Sequence, residues 1–276
     1  MLVFVVIYTL LWFGGPVASG ARSAPDSPTP ASVVFDEQAE IDLLHRVNDA
    51  RAQVGASPLI TTSELIAAAR QHAREMLLHE KISHQFPGEA DLKQRLAEMN
   101  AHFDKAGENV AADFSPENAQ DSLMGSPGHR ANLLNPAFNA VGIGIAREGS
   151  RLYVVQDFVR DLPKVASPQA EEEIAQRVNR LRQETRLPQL QRQTKPELRD
   201  TACDMARRNR VDTKSAPATG RPQFVLSYTE MSPDEVPASA GRYIADASIK
   251  RYSVGACYSR NESYPSGAYY VMMLFY

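Results

Sequence analysis

The chain repeats itself, and that limits the folds open to it. EIDLLHRVNDAR at 40–51 aligns with EEEIAQRVNRLR at 171–182, with Arg-Val-Asn at the same place in both. ELIAAARQHAREM at 64–76 aligns with ELRDTACDMARRN at 197–209, where Leu65, Ala69 and Ala73 face Leu198, Ala202 and Ala206. AVGIGIAREG at 140–149 aligns with SVGACYSRNE at 253–262, and YVVQDF at 153–158 with YVMMLF at 270–275. Four collinear matches argue for a duplicated domain. The copies differ in their middles. Ala73 to Val141 spans 68 positions and Ala206 to Val254 spans 48, so the second copy lacks about a turn-helix-turn. It also lacks histidine, since His129 is the last in the chain.

Each copy reads as helices first and strands last, which predicts an α+β layered domain. In the first copy a helix is expected over 36–54, with Leu44, Val47 and Arg51 on one face and Gly55 as its stop. A second is expected from Ser63, as N-cap, to His79, with Leu65, Ala69, Ala73 and Met76 inward. A short helix follows around 90–99, then an irregular stretch, then the strands AVGIGIA and RLYVVQDF. Gly142 and Gly144 alternate along the first of these strands, which favours close packing beneath a helix over ligand access.

LVFVVIYTLLWF at 2–13 is uncharged and apolar, and small residues follow it. Residues 1–20 therefore read as a signal peptide, although no Lys or Arg precedes the apolar run. Residues 21–35 read as a Pro- and Ser-rich linker. The expected location is secreted or periplasmic, with no stable membrane span once the leader is removed. A net charge of −3, with no basic stripe, points away from nucleic acid. Cys203 and Cys257 are free to pair in an exported chain, or to stay as buried thiols.

Three stretches of the first copy hold polar residues that could converge: His84 in KISHQF, Glu108 in AGENVA and His129 in SPGHRANLLNP. Two imidazoles and a carboxylate suit Zn²⁺ or another divalent ion, or acid–base work. Ser126 reads as an N-cap with Pro127 at the first helical position, which places His129 in the first turn. The helix dipole there favours a neutral imidazole, the form that binds metal. His72 reads as a hydrogen-bonded core histidine, His45 and His79 as solvated, and His102 as a loop residue without a role.

LLHRVNDARAQVGASPL, ISH, GENVA, SPGHRANLLNP, AVGIG and YVVQDF, in that order, resemble the CAP superfamily of cysteine-rich secretory, antigen 5 and pathogenesis-related proteins. The bacterial SCP-like branch is the most similar. The resemblance implies an α-β-α sandwich over 36–162 and a degenerate CAP-like copy over 168–276. It implies a cleft with two histidines and two acids, of which His84, Glu108 and His129 take three places. The fourth falls at about Ser126, Asn109 next to Glu108 joins the cleft, and a tryptophan common in the family stands here as Leu123.

Two functions follow as expectations. The chain is a binding module for a small, lipid-like ligand or a cell-envelope partner, with a divalent-metal site at His84 and His129. Alternatively it is a metal-dependent hydrolase with Glu108 as base. No Gly-x-Ser-x-Gly or HExxH motif is present, which favours the first.

Overall fold

The computed structural model describes residues 33–217 and 220–276. The expected signal peptide and most of the expected linker lie outside the described residues.

The first half runs β1 (Val34–Phe35), α1 (Glu37–Gln53), α2 (Ser63–Leu78), α3 (Leu92–Glu98), β2 (Phe103–Asp113), α4 (Pro116–Gly125), α5 (Pro127–Leu133), β3 (Ala140–Glu148) and β4 (Arg151–Asp161). Its four strands lie in the order β1-β3-β4-β2. Strand alternation sorts the side chains of β4 onto two faces. Leu152, Val154 and Phe158 pack with α1, α4 and α5, whereas Tyr153, Val155 and Val159 pack on the α2 side. Helices on both faces of one sheet make the α-β-α sandwich.

Local signals set most boundaries, with some differences from expectation. Thr62, one residue before Ser63, caps α2 by accepting the Leu65 N–H. The buried stripe of α1 uses Leu43, with Leu44 only half-buried. Gly55, at φ 74°, ends α1 in the left-handed region. The short third helix starts at Leu92 with Asp91 as its cap. The stretch read as irregular contains β2 and α4. Gly142 and Gly144 lie directly beneath α2: a Cβ on Gly142 would sit 2.1 Å from the Leu65 carbonyl oxygen, and one on Gly144 2.4 Å from the Arg70 nitrogen.

The second half runs α6 (Ser167–Glu184), β5 (Gln191–Arg192), α7 (Pro196–Arg207), β6 (Phe224–Glu230), α8 (Ala238–Ile244), β7 (Arg251–Asn261) and β8 (Tyr264–Phe275). Its sheet order, β5-β7-β8-β6, parallels that of the first, although β5 pairs parallel and β1 antiparallel. Gly255 meets Leu198 as Gly142 meets Leu65. One device recurs at matched positions. The buried guanidinium of Arg51 donates to the carbonyls of Ser57, Leu133, Asn135 and Phe138, and that of Arg182 to those of Pro188, Ile244 and Asp246. Among the described residues the second half has no counterpart of α3 or α4, so the shortening falls on two helices. Cys203 and Cys257 are bridged, with Cα atoms 5.0 Å apart.

The halves pack as one unit from Val33 to Tyr276. The Ser266 hydroxyl donates to the Phe103 carbonyl at 3.0 Å, and Arg260 caps the end of α3 at Ala97 O and Asn100 Oδ1. His102, expected in a loop without a role, is buried here with its ring edge-on to Tyr258.

Candidate functional site: polar residues across the β2 edge

Strand β2 is the outer strand of the first sheet, and its alternation divides the polar residues. Glu108 pairs with Asp157 of β4, and Asn109 with Gln156. Both carboxylates face the α2 side, and both amides face α5.

On the α2 side, Glu108 is almost wholly buried. Its Oε1 meets His84 Nδ1 at 2.7 Å and its Oε2 is held by the Arg95 guanidinium of α3. The loop bearing His84 is tied down from below. His72 places Nε2 2.8 Å from the Ser83 carbonyl and Nδ1 2.6 Å from Glu89 Oε1, so it is the hydrogen-bonded core histidine expected. Glu89 also accepts the Phe86 N–H, and Arg95 donates to the His84 carbonyl. Held through Nδ1, the His84 ring keeps Nε2 for other partners, and its side chain is 60% exposed. Beneath Glu108 lies Asp157, fully buried with neither oxygen bonded to a donor. Burial, and then the Glu108 charge, push its carboxyl well above the usual carboxylate range, which favours the protonated form.

On the α5 side, Asn109 donates to the His129 carbonyl at 3.1 Å, and Asn132 donates to Glu108 O and Asn109 Oδ1. The amides thus fix the first turn of α5 against β2. His129 is the third residue of that helix. Burial, and then the charge of His84, hold its imidazole below the usual histidine range. Ser126 occupies the N-cap position but makes no side-chain cap bond.

Among the described residues, no three His, Cys, Asp or Glu side chains gather as a metal-binding group. The available donors are two imidazoles. Both Glu108 oxygens are already taken, by His84 and Arg95. A histidine oriented through Nδ1 by a carboxylate is the usual outer-shell arrangement of a metal-ligating imidazole.

Sequence reading missed Arg95, Glu89 and Asp157. The repeat held one signal, for Asp157 alone. Gln156 and Asp157 align with Met273 and Leu274, and the β2 partners Asn109 and Glu108 have Leu226 and Val225 as their counterparts in β6. The second half fills all four positions with apolar side chains, so the fold does not require polar ones there.

Residues 44–158, which span this α-β-α layer and its His84, Glu108 and His129, match the family model of the Cysteine-rich secretory protein family, CAP. The chain is similar to Uncharacterized protein YkwD of Bacillus subtilis (strain 168), 29% identical over 134 residues, which covers 48% of this chain and 51% of YkwD. The match therefore spans about half the length of that relative. An extracellular protein containing a SCP domain from Bacillus anthracis is 27% identical, with a TM-score of 0.41, over 45% of this chain and 40% of that one. The crystal structure of Na-ASP-1, only 9% identical, resembles both halves in fold, with a TM-score of 0.50 over 86% of this chain and 89% of its own.

Proposed function

We propose that this chain is an exported binding module. Its CAP-domain cleft takes a divalent ion such as Zn²⁺ on His84 and His129, beside a small, lipid-like ligand or a cell-envelope partner. Residues 1–20 are its leader, and 168–276 are a degenerate CAP-like copy that serves as scaffold. One observation carries the reading: Glu108 spends both oxygens on orienting His84 and holding Arg95, which suits a fixed ligand platform rather than a free base. When bound, the ion would supply Lewis acidity and positive charge at the cleft mouth. His84 and His129 would hold it, and Glu108 would fix the His84 tautomer.

Calorimetric titration of Zn²⁺ into the wild type, His84→Ala and His129→Ala tests the site. Binding that each substitution removes supports it, and binding that survives both refutes it. A hydrolase screen with and without zinc, with His129→Ala as control, tests the rest. Turnover that depends on His129 would replace binding with catalysis.

A further inference from the structure

At the opposite edge of the same sheet, far in strand order from β2, α1 and α2 enclose a groove of about 790 Å³. Its walls are helical stripes, with Ile41 and Leu44 on α1 and Ile66 and Ala67 on α2, and Ile143 of β3 forms the floor. The edge of β3 is covered on either side of that floor by the chain itself. The Val141 N–H donates to Ile60 O at 2.9 Å. The Ile145 N–H donates to Glu40 Oε1 at 3.1 Å, and the Ile145 carbonyl accepts the Asp36 N–H at 2.9 Å. Edge-facing groups recur every second residue in an antiparallel strand. The register with β4 is unbroken here, so Ile143 also presents its N–H and C=O outward. Among the described residues neither has a partner. At the matched position of the second half, the Ala256 N–H is taken by Glu171.

We propose that this groove is a second binding site, independent of the cleft, and that it takes an extended apolar peptide with an anionic end. One peptide residue would pair with Ile143 as an added β-strand. The gap from Val141 to Ile145 spans about 13 Å, room for three or four extended residues. Backbone pairing selects a peptide, since an alkyl chain would leave both Ile143 groups desolvated and unpaired. Charge selects the anionic end. Arg70 is engaged by Glu37 and Glu40, whereas Arg74, one turn further along the same wall, has no acidic partner among the described residues.

The test follows the Ile143 amide by NMR in the full chain, with acetyl-Val-Ile-Val as probe. Binding should slow exchange at Ile143 at least about tenfold, and N-methylation of the central residue should weaken binding by about tenfold or more, as expected for one lost buried hydrogen bond. Arg74→Ala should weaken the free acid and not its carboxamide. Ala67→Trp, at an exposed wall position, should block the groove. The N-methyl comparison uses unaltered protein, so it stands even where a variant misfolds. No protection of Ile143, or equal binding of the N-methyl analogue, overturns the proposal. Binding of dodecanoate without binding of the peptide also overturns it and reassigns the groove to acyl chains.

Discussion

Arg95 is the residue on which the cleft depends most. It is a buried cation that holds the Glu108 carboxylate and, through the His84 carbonyl, the loop bearing that histidine. Replacing it with Met strands a buried carboxylate, and the expected loss is about 3–5 kcal/mol, read by urea denaturation. A loss below about 1 kcal/mol would mean that the contact behaves like a surface ion pair. Asp157 gives a pH prediction. Its folded pKa is raised, so its contribution is fully present below the ordinary carboxylate value and is lost as pH rises toward the folded value. Asp157→Asn, which mimics the protonated acid, should gain stability relative to wild type as pH goes from 5 to 8. Urea midpoints at the two pH values check it, and an unchanged difference would show that the folded pKa of Asp157 is not raised above that lower pH. His84, Glu108 and His129 stand out in the sequence because each sits in a short polar motif. Arg95 and Glu89 do not, because on and before a seven-residue helix they look like ordinary solvated charges.

The helix-on-strand contacts of α2 are set by backbone proximity at Gly142 and Gly144. Gly144→Ala would drive a methyl group into α2 and should cost about 3 kcal/mol or more, as severe overpacking does. Gly128→Ala, in the first turn of α5 with open space around it, should be neutral or stabilise by up to about 1 kcal/mol. Thermal melts of the two variants provide the comparison, and similar melting points would refute the close-contact account. Helices α1 and α2 were readable because their apolar stripes are long and capped. Strand β2 was hidden because FDKAGENVAAD is an edge strand with site residues on both faces, so apolar alternation is broken at Glu108 and Asn109. Helix α4 was hidden because its ten residues end one position before the more conspicuous Ser-Pro start of α5.

Across the whole molecule, His102 sits where the halves meet. Burial holds its pKa below the ordinary histidine value, so its contribution is present above about pH 6.5 and is lost as pH falls below it. Melts at pH 7.5 and 5.0 should show a drop in wild type that His102→Phe reduces, and an equal drop in both would place the acid sensitivity elsewhere. The second half carries its own device. Reducing the Cys203–Cys257 bridge should cost about 2–4 kcal/mol, seen as a lower melting point, and a thiol count on the unfolded, unreduced chain should find none free. Two free thiols would remove the bridge from the account. Cys203 stands where the first half has Arg70, and Cys257 where it has Gly144, so a covalent bond takes the place of a backbone contact. That substitution sets an order of events. The first half, with its full set of helices, is complete as soon as it folds. The second half, two helices short, reaches its final stability only where thiols are oxidised. Under the proposed export, the bridge would separate a looser state before passage from a fixed one after it, and maturation would become a matter of when as well as where.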